Sequence, residues 1–281
     1  MLLKCWKIKM KKNNFTKVFE KARSENRAAL FIFVTGYHPN YETSKLIIKE
    51  ILKYADAVEI GNPFNTSTAD SSVIMNASEV AIAAGANTKK ILNLIKEIKS
   101  ENTNATLACM GYLNPLYGYG IKRFAKECLA DSCIIVDSSL DCPEEQELFE
   151  EFTKKRNGSI VKIVTPQNDE DYIRACLARS LNWIYVTGYS GITGSKKYNI
   201  DSIKKSVALI RKNSKNIFIG CGFGIKTKDD VAEVAKHVDA VIIGTSIVDL
   251  IDKEHKKGSN AIELSKKVGQ YVKELKKGLA K

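Results

Sequence analysis

Glu59 sits in the apolar run Ala57-Val58-Glu59-Ile60-Gly61, on the phase opposite Val58 and Ile60 and near the run's C-terminal end. Successive side chains of a strand point to opposite faces. If Val58 and Ile60 face covering helices, Glu59 points into the interior. A buried carboxylate without a partner is costly, so it is kept there only when paired, protonated or in use. Lys162 is the one strand lysine on an inward phase that could pair with it. Desolvation would raise the Glu59 pKa toward the range useful for proton transfer. Asp70 follows in the loop Asn62-Pro63-Phe64-Asn65-Thr66-Ser67-Thr68-Ala69-Asp70-Ser71-Ser72. Taken alone it reads as the N-cap of a following helix. In a long loop that folds over the same mouth as Glu59, it becomes the second of two carboxylates that divide acid and base roles.

A third feature is glycine placement. Two late apolar runs end in Gly220-Cys221-Gly222-Phe223-Gly224 and Gly244-Thr245-Ser246, and Gly194 follows the run before them. Glycine lets backbone approach a ligand closely, and N–H groups at a helix N-terminus suit a phosphate. Thr245 and Ser246 add hydroxyl donors. The plainer alternative is three tight turns that need glycine for themselves. Phe33, Tyr112 and Tyr185 close their own runs, either as core or as the lining of an aromatic pocket. His38, His237 and His255 are too dispersed for a metal set, so no metal is expected, and His38 reads as a solvated loop residue.

The elements that must position these groups recur regularly. Apolar runs cover Leu30 to Thr35, Ala57 to Gly61, Thr106 to Gly111, Cys133 to Asp137, Ile160 to Val164, Trp183 to Thr187, Ile217 to Cys221 and Ala240 to Gly244. Most are apolar on both phases, as parallel strands buried on both faces must be. Helical periodicity fills the gaps: Thr43 to Tyr54, Asn87 to Lys99 behind an Asn87 or Thr88 cap, Lys122 to Leu129, Pro143 to Lys154, Asp169 to Arg179, Asp201 to Arg211, Lys228 to Lys236 and Ser259 to Lys276. Thr16 to Arg27 predicts a helix before the first strand, and Ser72 to Ala84 an extra helix after the second. This pattern predicts an α/β fold: one (β/α)8 TIM barrel, with its core at about 16–252 and a basic C-terminal helix or tail at 259–281. All five prolines follow the first five strands, while glycine dominates after the last three, which marks the C-terminal face as the working surface.

Composition narrows the classes. The 281 residues carry a net charge of +12, almost all of it dispersed lysine, with seven scattered arginines and no basic-aromatic cluster, so no nucleic-acid partner is expected. Seven cysteines, odd in number and without a C-x-x-C pair, read as a reducing compartment. No apolar run approaches the ~20 residues of a membrane span, so the expected location is cytoplasmic, with no membrane partner.

Read in order, Phe33-Val34-Thr35, Val58-Glu59-Ile60-Gly61-Asn62-Pro63-Phe64, Ala69-Asp70, Met110-Gly111-Tyr112-Leu113-Asn114-Pro115, Ser190-Gly191-Ile192-Thr193-Gly194, Gly222-Phe223-Gly224 and Gly244-Thr245-Ser246 resemble the tryptophan synthase alpha subunit family, over roughly Thr16 to Leu250. The resemblance implies a lyase of tryptophan biosynthesis that cleaves indole-3-glycerol phosphate to indole and glyceraldehyde 3-phosphate. It implies Glu59 as general acid/base and Asp70 as the carboxylate on the indole N–H. It places Phe33, Tyr112 and Tyr185 around the indole, has Thr193 orient Asp70, and gives the phosphate to Gly194, Gly222, Gly224, Gly244 and Thr245. It implies a beta-subunit partner in an alpha2-beta2 assembly, with pyridoxal phosphate in that partner and no cofactor in this chain. The chain departs from the family pattern at Asn65-Thr66-Ser67 and Ser71-Ser72, in Thr35-Gly36-Tyr37-His38-Pro39, and in the longer Asp137 to Glu145 turn. The altered second loop leaves a different class of function to weigh: a catalytically weak alpha-like subunit that mainly binds and activates the beta subunit.

Overall fold

The computed structural model describes residues 12–137, 140, 148–154, 157–188 and 198–279. Its strands are β1 (Ala29–Thr35), β2 (Ala57–Gly61), β3 (Leu107–Gly111), β4 (Ser132–Ile135), β5 (Ser159–Val161), β6 (Ile163–Val164), β7 (Trp183–Thr187), β8 (Phe218–Gly222) and β9 (Ala240–Ile243). The α-helices are α1 (Asn14–Ser24), α2 (Tyr41–Ile51), α3 (Ser72–Ala83), α4 (Thr88–Glu101), α5 (Leu113–Tyr119), α6 (Ile121–Glu127), α7 (Glu170–Arg179), α8 (Ile200–Asn213), α9 (Lys228–Ala235), α10 (Thr245–Lys256) and α11 (Ala261–Lys276). Leu148 and a π-helical turn, Phe149–Lys154, are the described part of the predicted Pro143 to Lys154 helix; the rest lies outside the described residues.

All pairings are parallel, in the order β5-β4-β3-β2-β1-β9-β8-β7-β6. β5 and β6 are halves of the predicted fifth run, interrupted at Lys162, so the two ends of the sheet belong to one stretch of chain. Across this seam the Leu181 N–H donates to the Ile160 carbonyl at 3.3 Å and the Tyr185 N–H to the Lys162 carbonyl at 3.0 Å. The sheet closes into the expected TIM barrel.

Strand alternation divides the core in two. Leu30, Ile32, Val34, Val58, Ile60 and Leu107 pack outward under the helices. Phe31, Ala57, Ala108, Trp183 and Tyr185 fill the interior. The N-terminal helix plugs the interior from the N-terminal end: Phe15 stacks on Trp183 with centroids 5.4 Å apart, and Phe19 on Phe218 at 4.5 Å. Sealing that end with large aromatic surface leaves the C-terminal end open.

Three acids lock the sealed end. Asp56, Asp131 and Asp239 each stand one residue ahead of a strand and accept a backbone N–H from a neighbouring strand: Leu30 at 2.8 Å, Leu107 at 2.9 Å and Ile219 at 2.9 Å. Arg27, Lys99 and Arg211 neutralise them in turn. Each acid thereby satisfies a ladder group at a strand start where the regular pattern has none to offer.

Two helices were not legible in the sequence pattern. α5 is only 7 residues long and carries Pro115 and Gly118, which read as a turn. α10 follows the last strand directly, where the sequence pattern placed the Ser259 to Lys276 helix. Its N-cap is Gly244, with no side-chain cap, so it lacks the start signal that the other long helices carry. The C-terminal segment is likewise no loose tail: Leu264, Val268, Val272 and Leu275 form a buried stripe, and α11 packs against α2.

Candidate functional site

At the open end, β1, β2, β3, β7 and β9 and the turns after β8 and β9 border a cavity lined by Phe33, Glu59, Asp70, Met110, Tyr185, Phe223, Gly224, Lys226, Gly244 and Thr245 among others. Glu59 points into it, as its phase relative to the outward Val58 and Ile60 requires. The carboxyl is fully buried and neither oxygen has a hydrogen-bond partner among the described residues. Lys162 is buried too but does not pair with it. Burial alone pushes the Glu59 pKa up to about 8, so this side chain is a neutral acid at neutral pH.

Asp70 reaches the same cavity from the β2–α3 loop. The expectation that it caps the following helix is corrected by the structure: Ser71 is the N-cap, accepting the Ile74 N–H at 3.4 Å. Sequence could not separate the two, since Asp70, Ser71 and Ser72 are all competent caps. With capping done by its neighbour, the Asp70 carboxylate stays available. Burial raises its pKa, the Ser67 and Tyr112 hydroxyls pull it back, and the balance is about 6. The Tyr112 hydroxyl also accepts the Ala69 N–H at 3.1 Å, which holds the loop down. A second cavity, lined by Phe33, Phe64, Asp70 and Tyr112 among others, adjoins the first, and Asp70 lines both.

The aromatic candidates divide accordingly. Phe33 lines both cavities, Tyr185 the first and Tyr112 the second. The Tyr185 phenol is pushed well above its ordinary pKa, by desolvation first and then by the charge of Glu59.

The glycines serve partly as cavity wall and partly as packing relief. A Cβ on Gly222 would sit 2.1 Å from the Tyr185 hydroxyl, and one on Gly244 3.2 Å from the Phe33 Cβ. These two glycines make room for the aromatic lining. Gly224 lines the cavity itself with φ of 79°, and Phe223 beside it takes φ of 75°, a left-handed conformation that is strained for a bulky residue. The N-terminus of α10 opens onto this end of the cavity at Gly244 and Thr245. Gly244 has no side chain to cap it, and the positive end of the helix dipole faces the cavity, an arrangement suited to an anion.

Other expectations fall outside this mouth. Thr193 and Gly194 lie outside the described residues. His38 is not a solvated loop residue: it is 1% exposed, faces Asp252 at 4.0 Å, and is held neutral by burial, with its pKa lowered to about 4. Lys226 was missed in the sequence; its only signal was a cation two residues after Gly224. No group of three His, Cys, Asp or Glu among the described residues could hold a metal ion, and no described helix is long and apolar enough to cross a membrane.

A mouth with one buried acid, one carboxylate, an aromatic wall and an uncapped helix N-terminus on a TIM barrel narrows the relatives. The sequence model of the tryptophan synthase alpha chain family matches residues 19–279. The chain belongs to this family. Among solved structures, a protein of Aquifex aeolicus VF5 is similar at 27% identity and a TM-score of 0.83, over 96% of this chain and 100% of that one. Tryptophan synthase subunit alpha of Legionella pneumophila str. Paris matches at 23% identity and 0.84, over 95% and 98%. Mycobacterium tuberculosis tryptophan synthase matches at 21% and 0.84, over 96% and 100%. The second loop delivers Asp70 to the mouth, with Ser71 doing the capping and Tyr112 the anchoring.

Proposed function

We propose that the chain is a lyase that cleaves indole-3-glycerol phosphate to indole and glyceraldehyde 3-phosphate and passes the indole to a beta subunit, in an alpha2-beta2 assembly. The observation that supports this most strongly is Glu59, a fully buried carboxyl with no partner among the described residues, facing a cavity whose other end is an uncapped helix N-terminus.

The pKa of about 8 gives the sequence of proton transfers its direction. Glu59 starts protonated and donates to C3 of the indole. Positive charge then develops on the ring nitrogen, and Asp70, ionised at neutral pH with its pKa of about 6, accepts a hydrogen bond from the indole N–H and stabilises it. The Glu59 carboxylate next removes the proton of the side-chain hydroxyl as the carbon–carbon bond breaks. The bonding pair returns to the ring, indole and the aldehyde separate, and Glu59 is again protonated. No water or external acid is consumed. Phe33, Tyr112 and Tyr185 hold the indole plane, and Gly224, Gly244 and Thr245 present N–H groups to the phosphate, with Gly222 keeping the Tyr185 ring in place. Thr193 and Gly194 complete the site in this reading. Pyridoxal phosphate belongs to the beta partner.

Indole release from indole-3-glycerol phosphate, measured for the wild type, Glu59→Gln and Asp70→Asn with and without a beta subunit, tests the reading. Each substitution is expected to lower turnover at least ~100-fold, the ordinary scale for removing a positioned acid or base. No release above the variants, with the partner present, overturns it.

A further inference from the structure

The mouth cavity carries a cation that neither the proton transfers nor the glycine turns use. Among the described residues that line it, Lys226 is the only basic one. Its ammonium makes no hydrogen bond or ion pair with any described residue. The nearby acids are otherwise engaged: Asp230 accepts the backbone N–H groups of Lys226 and Thr227 at 3.1 and 2.9 Å, and Asp249 pairs with Lys253 at 2.6 Å. The Lys226 backbone is held at both ends, since its carbonyl also accepts the Tyr271 hydroxyl at 2.5 Å. Tyr271 in turn lies against the Ser246 hydroxyl in the first turn of α10. The lysine therefore starts from a fixed point beside the uncapped helix N-terminus.

We propose that Lys226 contacts the phosphate of the substrate and sets the preference of the site for a dianionic over an uncharged three-carbon group. The proposal rests on the phosphorylated-substrate reading above and adds a residue to it. The electrostatics of the cavity give the reason. A phosphate monoester near pH 7 carries about −1.5 to −2 charges, and a helix N-terminus supplies only about +0.5. Asp70, ionised across the same cavity, repels it. A mobile cation at the rim offsets that repulsion, and its long stem can follow the ligand in and out.

Titration calorimetry with glycerol 3-phosphate, glycerol and indole, on the wild type, Lys226→Met and Lys226→Arg, tests this. Lys226→Met is expected to weaken glycerol 3-phosphate about tenfold at low salt, the scale of one charge-assisted hydrogen bond, and less at high salt, where the contact is screened. Lys226→Arg should stay within about threefold of the wild type, and indole should bind all three proteins alike. Equal binding of glycerol 3-phosphate by the wild type and Lys226→Met overturns the assignment of Lys226 alone. Equal loss in Lys226→Met and Lys226→Arg overturns it too, because charge is then not what matters. If the wild type binds indole but prefers glycerol 3-phosphate no more than glycerol, both the lysine and the phosphate site fall.

Discussion

Replacing Glu59 with glutamine should make the protein more stable in alkali while removing its activity. In the folded chain the Glu59 pKa is pushed up to about 8, from an ordinary 4.5. Below about pH 4.5 the carboxyl is protonated both folded and unfolded, so the wild type suffers no ionisation penalty. As pH rises, the unfolded chain ionises and the folded chain does not. Stability drains away through this window and levels off only above the folded pKa near 8. At 1.36 kcal/mol per pKa unit, the loss between about pH 5.5 and pH 8.5 is roughly 3 kcal/mol. Glutamine has nearly the same shape and never ionises, and the other titrating groups cancel in the difference between the two proteins. The assay is the thermal midpoint of both proteins across this range. For a chain of this length the gap in favour of Glu59→Gln should widen by about 5–10 °C. A gap that does not change with pH would refute the reasoning, since it would mean that Glu59 titrates alike in the folded and unfolded states.

Three further outcomes follow from the same geometry. The pH profile of kcat/KM should fall above about 8, where Glu59 loses its proton, and below about 6, where Asp70 gains one; Tyr112→Phe, by removing a hydroxyl that holds the Asp70 pKa down, should move the acid limb to higher pH. Gly222→Ala puts a methyl 2.1 Å from the Tyr185 hydroxyl and should cost about 1–3 kcal/mol in chemical denaturation, part of which Gly222→Ala with Tyr185→Phe should recover. Asp56→Ala removes one of the two carboxylates that pair with Arg27, leaving it Glu25, and leaves the Leu30 N–H unsatisfied at the sealed end of the barrel; it should cost about 1–3 kcal/mol of stability while kcat, set at the opposite end, stays within about twofold.

Much of the barrel was readable because its signals are local. Runs apolar on both phases report strands buried on both sides, and the pairing of Val58 and Ile60 outward with Glu59 inward depends on nothing but the pleat. That parity alone marked Glu59 as a carboxyl inside the barrel. Asp70 was legible as part of the mouth only through the length of its loop. Its freedom from the capping role rests on which of three adjacent polar residues the chain directs at the Ile74 N–H, a choice made by the loop's path and by Tyr112. Helix α10 escaped notice because the feature that equips it to meet an anion, an uncapped N-terminus, is the absence of the residue that announces a helix.

Composition, parity and punctuation thus determined the fold class, the working face and one acid, since each is a property of a residue and its near neighbours along the chain. The tertiary structure decided what those groups are worth. It left Glu59 with no partner among the described residues and so raised its pKa; it set Asp70 on the lining of two cavities; it turned His38 from an expected surface residue into a buried neutral one against Asp252; and it brought Lys226 to the rim of the mouth. Burial and field are sums over groups distant in sequence, so they exist only once the barrel has closed.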